Sequence, residues 1–165
     1  VARPEDLPLL QALERAAGAS FRSLGMHKIA DDEPPTVGAL AAFQRDGRAW
    51  VAVDLEDLPI AYLLAEPVDE NAHIEQVSVH PKWARKGLGR ALIDQAAAWA
   101  ARQGLRALTL TTFAEVPWNA PYYERLGFQR LSEAEMTGGL RELRTGEAAR
   151  GLDAWPRVTM RRPVP

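Results

Sequence analysis

Between Ile74 and Leu92 the chain reads IEQVSVHPKWARKGLGRAL, and four cations, Lys82, Arg85, Lys86 and Arg90, crowd around Gly87 and Gly89. Apolar alternation from Ile74 to Val79 predicts a strand that stops at Pro81. A helix follows the glycine turn with no linker. A strand, a glycine turn and a helix N-terminus in direct succession make an anion site. N–H groups point out of the turn, and the helix dipole adds about half a positive charge. The ligand chemistry that fits is a phosphate or pyrophosphate.

Several readings of that turn compete. A P-loop needs G-x-x-x-x-G-K-[ST], and the chain has no such run. A dinucleotide fold needs G-x-G-x-x-G/A, whereas Gly87-Leu88-Gly89-Arg90-Ala91-Leu92 ends in leucine. A coenzyme A site would leave the preceding strand open on one edge for the pantetheine amides. A plain helix entry with solvated cations also fits this segment taken alone.

A second segment, ALTLTTFAEVPWNAPYYERLGF over residues 107–128, narrows the choice. Ala107 to Phe113 alternates as a strand. Asn119 has the type of an N-cap, with Pro121 in the first turn of a short helix through Tyr122 to Leu126. Gly127 ends it in a left-handed conformation, and Phe128 opens another strand.

With both segments in view, the chain resembles the GNAT N-acyltransferase superfamily. One shared signature is a strand, P-x-x-(Q/R)-x-x-G-x-G and a helix, here Pro81 to Gly89; the other is Y-x-x-x-G-F, here Tyr123 to Phe128. Ala84 stands where the family prefers Gln or Arg, and Asn119 lies four residues before Tyr123 rather than seven. The resemblance implies a mixed, largely antiparallel sheet flanked by helices, an α/β (α+β) fold. Its strands matching Ile74–Val79 and Ala107–Thr112 would be splayed parallel neighbours with the thioester in the wedge. It also implies acetyl-CoA as the acyl donor. Val77, Ser78 and Val79 would meet the coenzyme along the strand. Arg85, Lys86, Gly87, Leu88, Gly89 and Arg90 would hold its pyrophosphate, and Asn119 would contact its pantetheine arm.

The catalytic roles follow from the chemistry of acyl transfer to an amine. An alkyl ammonium is no nucleophile, and deprotonating it at pH 7 costs about 4.6 kcal/mol. Glu75, two residues before Val77 and on the same strand face, is the candidate base or amine anchor, with His73 as its alternate. Attack on the thioester makes an oxyanion and then a leaving thiolate. By resemblance, the Val77 N–H donates to the carbonyl oxygen and Tyr123 hydrogen-bonds the departing sulfur. A phenol near ~10 is a weaker acid than a thiol near ~8.5. The Tyr123 hydroxyl is therefore expected to give a strengthening hydrogen bond, with the proton arriving late. Direct transfer in a ternary complex is expected, without a metal. The resemblance nominates Phe21, Asp31, Asp32, Glu115 and Trp118 for the acceptor pocket.

Composition sets the outer bounds. The chain has 165 residues, 47% apolar and 25% charged, and is read as one domain over residues 1–165. It has no cysteine, which removes disulfides, thiolate zinc sites and cysteine nucleophiles, and suits a cytoplasmic location. The formal net charge of −2 argues against nucleic acid as a partner. No apolar run approaches the ~20 residues of a membrane span. From Ala49 to Pro81 there is no Lys or Arg but a series of carboxylates, and Asp31-Asp32-Glu33 is a second acidic cluster. Solvated hairpin tips explain this as well as an acidic mouth for a cationic amine does. A small-molecule amine is the expected partner; a peptide acceptor, a non-catalytic coenzyme-binding module and a homodimer stay open. The chain begins at Val1, so a trimmed N-terminus stays open too.

The remaining elements place these residues. Helices are expected over Leu7–Ala17, Val37–Arg45 behind a Thr36 cap, Gly87–Arg102 and Gly139–Arg150, with Phe21–Ile29 helical or an ordered loop. Leu88, Leu92, Ala96 and Trp99 form the expected buried stripe of the main helix. Strands are expected over Ala49–Val53, Ile60–Glu66, Ala72–His80, Phe128–Leu131 and Arg157–Arg161.

Overall fold

The computed structural model describes residues 1–165. Its helices are α1 (Leu7–Gly18), α2 (His27–Ala30), α3 (Val37–Arg45), α4 (Leu88–Arg102), α5 (Ala120–Arg125) and α6 (Gly138–Ala149). Its strands are β1 (Ala49–Val53), β2 (Pro59–Val68), β3 (Asn71–Val79), β4 (Ala107–Phe113), β5 (Gln129–Leu131) and β6 (Arg157–Pro163). They form one six-stranded sheet in the order β1-β2-β3-β4-β6-β5. The β3–β4 pair is parallel and carries Ala72 opposite Leu108 and His73 opposite Thr109, while β1–β2, β4–β6 and β5–β6 are antiparallel. This is the mixed, largely antiparallel α/β arrangement expected from the sequence.

Residues group into two compact units, Val1–Glu66 with Glu75–Gln95, and Pro67–Ile74 with Ala96–Pro165. In the first, α1 buries Leu7, Leu10 and Leu13 on one face, and these cluster with Leu40, Ala49, Tyr62 and Leu64. The Thr36 hydroxyl caps α3 by accepting the Ala39 N–H at 3.1 Å. The β1–β2 hairpin turns where the Asp54 carboxylate accepts the N–H groups of Glu56 (2.9 Å) and Leu58 (3.0 Å). Part of the acidic stretch thus has a local structural reason.

In the second unit β4 pairs with β6 from Ala107 opposite Pro163 to Phe113 opposite Arg157. The Glu147 carboxylate of α6 takes hydrogen bonds from Thr111, Arg144 (3.0 Å) and Arg157 (3.3 Å), fastening that helix to β4 and β6. Gly127, at φ 96°, stops α5, and the Phe128 N–H returns to the Tyr123 carbonyl at 3.1 Å.

Phe21–Ile29 is helical in two pieces, a 3-10 segment, Ala19–Leu24, and α2, with Gly25 left-handed between them. Other expectations need correction. Leu88 is only half-buried, while Ile93, Ala97 and Ala100 join Leu92, Ala96 and Trp99 inside, so the buried band of α4 is wider than one stripe. Phe128 precedes β5 rather than opening it. Asn119 stands at the start of α5, but its side chain makes no capping bond. Its ψ of −115° lies outside the extended region a capping residue adopts.

Ile93 is fully buried. Ile93→Ala should therefore destabilise the fold by about 2–5 kcal/mol, whereas loss of the exposed α3 cap in Thr36→Ala should cost about 1 kcal/mol. Urea unfolding of the two variants checks the ranking.

Candidate active site

The first unit holds Glu75 to Val79 of β3 and the turn after it. The His80 N–H donates to the Ile60 carbonyl at 2.9 Å. Backbone groups along a strand alternate in direction with a period of two. The N–H groups of Gln76 and Ser78 therefore also face β2, and those of Val77 and Val79 face the opposite edge. Side chains alternate as well: Ser78 is buried, Val77 and Val79 are half-buried, and Glu75 is exposed.

Pro81–Trp83 forms a 3-10 turn capped by His80, whose Nδ1 accepts the Lys82 N–H at 3.1 Å. Arg85 and Gly87 then adopt φ of 63° and 78°. At Gly87 this left-handed conformation explains the residue type. No atom lies within 4 Å of where a Gly87 Cβ would sit, so the turn faces open space. The Ala91 N–H bonds to the Gly87 carbonyl at 3.0 Å, the first hydrogen bond leading into α4. Gly89 is buried in the first turn. Lys82, Arg85, Lys86 and Arg90 are all exposed. Unpaired backbone donors, a helix N-terminus and four solvent-facing cations are complementary to a diphosphate.

Tyr123 and Asn119 lie in the second unit. The Tyr123 ring is buried, with edge contacts to Tyr122 (5.3 Å between centroids) and Phe128 (5.8 Å). Burial first, and the neighbouring Tyr122 second, push its hydroxyl above the ordinary phenol range. At neutral pH the group is thus a hydrogen-bond donor, and no residue of the chain accepts from it. The Asn119 Oδ1 is buried without a donor. A buried acceptor left open in this way suits a ligand amide N–H.

Of the residues expected to line the acceptor pocket, Phe21 is half-buried and Asp31 and Asp32 are exposed in the first unit, while Glu115 and Trp118 are exposed in the second. Asp31 is ion-paired with Arg22, and Asp32 accepts the Glu33 N–H at 3.1 Å. His73, the alternate base, is buried with Nδ1 2.9 Å from Thr109 Oγ1. One polar cluster had no local sequence signal. In the first unit Glu14 is bonded to Tyr62, Gln76 and Ser78, residues far apart in the chain.

In the first unit, strand N–H groups turned away from β2 and an open glycine turn rimmed by cations fit a coenzyme A-type ligand. A model described as the acetyltransferase (GNAT) family matches residues 9–128. The chain belongs to the GNAT acetyltransferase family. Among solved structures, it is similar to the ribosomal-protein-S18-alanine N-acetyltransferase of Escherichia coli at 20% identity, over 99% of this chain and 90% of that one, with a TM-score of 0.63. A Mycobacterium tuberculosis protein in complex with coenzyme A matches at 17% identity over 99% and 97%, with a TM-score of 0.69. A phosphinothricin acetyltransferase from Sinorhizobium meliloti in complex with AcCoA matches at 18% identity over 99% and 85%, with a TM-score of 0.67. These neighbours include both small-molecule and protein acetyltransferases, so membership of the family does not fix the acceptor.

If the glycine turn holds the coenzyme diphosphate, acetyl-CoA at about a thousandfold over its Kd should stabilise the fold by ~4 kcal/mol. The readout is the thermal melting midpoint. Gly87→Glu should remove that shift, because it fills the open turn and adds a like charge. A midpoint that ignores acetyl-CoA in the wild type would defeat the assignment.

Proposed function

We propose that the protein is an N-acetyltransferase, one domain over residues 1–165, which moves an acetyl group from acetyl-CoA directly to the primary amine of a small molecule. The observation that carries the catalytic part is the state of Tyr123. A ring fixed on two sides, a hydroxyl held protonated by burial and no acceptor within the chain are what a donor reserved for a ligand atom requires. A module that only bound coenzyme would need the turn but not this tyrosine.

In this reading Arg85, Lys86, Gly87, Leu88, Gly89 and Arg90 hold the diphosphate. Val77, Ser78 and Val79 present the strand to the pantetheine arm and the thioester, and Asn119 accepts from a pantetheine amide. The Val77 N–H donates to the thioester carbonyl, and the Tyr123 hydroxyl donates to the sulfur as charge gathers there. Burial raises the cost of losing the Tyr123 proton, so a strengthening hydrogen bond describes its role better than early proton transfer does. Glu75, exposed on the coenzyme strand, receives the amine proton directly or through a water. His73 is less suited, because its ring is buried against Thr109.

The small-molecule acceptor is supported by exposed carboxylates, Asp32 in the first unit and Glu115 in the second, and by the exposed Trp118 ring of the second unit, types that suit an amine on an apolar body. Asp31 contributes less, because Arg22 already meets its charge. The rival is a protein or peptide N-terminus, and coenzyme A release across amines, amino acids and short peptides separates the two.

With an active amine in hand, Glu75→Gln should lower kcat/KM ~10²-fold at pH 7. The deficit should shrink as pH rises, because the amine then loses its proton unaided. A wild-type rate and pH profile would dismiss Glu75 as the base, and a large pH-dependent loss in His73→Ala would move the role there.

Tyr123→Phe keeps the ring and removes one oxygen. Single-turnover acetyl transfer should slow ~10²-fold with KM for the coenzyme nearly constant, since the lost interaction belongs to the transition state. Tyr122→Phe is the control for register and should transfer normally. Unchanged transfer in Tyr123→Phe would reduce that residue to packing.

A further inference from the structure

The Glu14 carboxylate, half-buried on α1, collects three hydrogen bonds. Its Oε2 accepts from the Tyr62 hydroxyl at 2.6 Å and the Ser78 hydroxyl at 2.6 Å, and its Oε1 accepts from the Gln76 amide at 3.1 Å. The Gln76 amide also donates to Ser78 Oγ at 2.8 Å, closing a ring. All the donors are neutral, and no cation of the chain pairs with Glu14. Tyr62 is buried on β2, and burial together with Glu14 holds its phenol protonated as a donor.

Apolar residues of similar size at these positions would hold α1 on the sheet without desolvating a carboxylate. What the carboxylate adds is direction. Gln76 and Ser78 flank Val77, and both point to the same face of β3. With both side chains pinned to one fixed anion, the peptide groups on either side of Val77 lose their freedom to roll about the strand axis. The Val77 N–H faces away from β2, so no hydrogen bond from that strand restrains it.

We propose that Glu14 is a positioning residue that locks Gln76-Val77-Ser78 and thereby aims the Val77 N–H at the thioester carbonyl of acetyl-CoA. The inference rests on the coenzyme reading above and extends it to a residue that need not touch the coenzyme.

The test uses the full chain and needs no acceptor. Calorimetric titration compares acetyl-CoA with free coenzyme A, and infrared difference spectra follow the carbonyl stretch of acetyl-CoA labelled with carbon-13 at the carbonyl. The wild type should bind acetyl-CoA up to about tenfold tighter than coenzyme A, the range of one hydrogen bond, and should lower the carbonyl frequency. Glu14→Gln puts an amide donor against donors. It should keep the affinity for coenzyme A while losing both the preference and the frequency shift. A Glu14→Gln protein that keeps both would overturn the proposal. So would an equal loss of affinity for the two ligands, which would make Glu14 a fold anchor. If Glu14→Gln does not fold, Tyr62→Phe, which removes one hydroxyl from the carboxylate and keeps the ring, decides on the same two readouts. A wild type that binds neither ligand would overturn the coenzyme reading itself, and this proposal with it; that outcome is recognised without any variant.

Discussion

The backbone of β3 has two sets of hydrogen-bonding groups, and only one set can be met by β2. Every peptide N–H that leaves water needs an acceptor. The His80 bond to Ile60, with Tyr62, Gln76 and Ser78 sharing Glu14, fixes the phase at the end of the strand: Gln76 and Ser78 inward, Val77 and Val79 outward. A strand edge left open attracts any passing backbone. In the proposed reading a pantetheine arm takes that place. An open edge also lacks the ladder that would normally hold it straight. In the same reading the Glu14 network restrains the strand through side chains where backbone bonds are absent, tying α1 to the chemistry without bringing it to the substrate.

Charge in the first unit follows a similar division. Several carboxylates already have local partners: Asp54 organises the hairpin turn, Asp31 meets Arg22, and Asp57 meets Arg3 at 2.8 Å. Such surface pairs contribute little stability. They do, however, remove charge from the pool available to a ligand. The cations around Gly87 are the opposite case, exposed and without ion-pair partners. Four like charges on one short turn repel one another in the ligand-free protein, and an anion relieves that repulsion. The acidic stretch and the basic turn look alike in a list of residues; their pairing is what separates them.

Local signals in the sequence were reliable where a local rule governs the outcome. Thr36 caps α3, Gly127 ends α5 left-handed, and α1 buries the face its leucines mark, because capping, φ and helical periodicity are decided within a few residues. Asn119 shows the limit. Its type and the following Pro121 suggest a cap, but its backbone lies outside the extended region and its side chain makes no capping bond. Glu14 escapes local reading altogether. Its partners lie 48 to 64 positions away, and an alternating strand pattern treats Tyr62 as one more apolar residue. The glycine turn and the tyrosine motif were visible because each is contiguous; the network that orients the strand is assembled only by the fold.

Two buried tyrosines show how one side chain can be put to opposite uses. Burial raises both phenols, so both are donors at neutral pH. Tyr62 donates its hydrogen bond to Glu14 at 2.6 Å and is consumed by structure. Tyr123 is held as firmly, between Tyr122 and Phe128, but its hydroxyl is assigned to nothing in the chain. Leaving a donor unanswered forgoes a bond that could have contributed about 1 kcal/mol to stability. The buried Asn119 oxygen, four residues earlier in the same unit, makes a second such sacrifice, with an acceptor in place of a donor. In the proposed reading, the donor and the acceptor left open beside one short helix are answered by a ligand carrying amides and a sulfur.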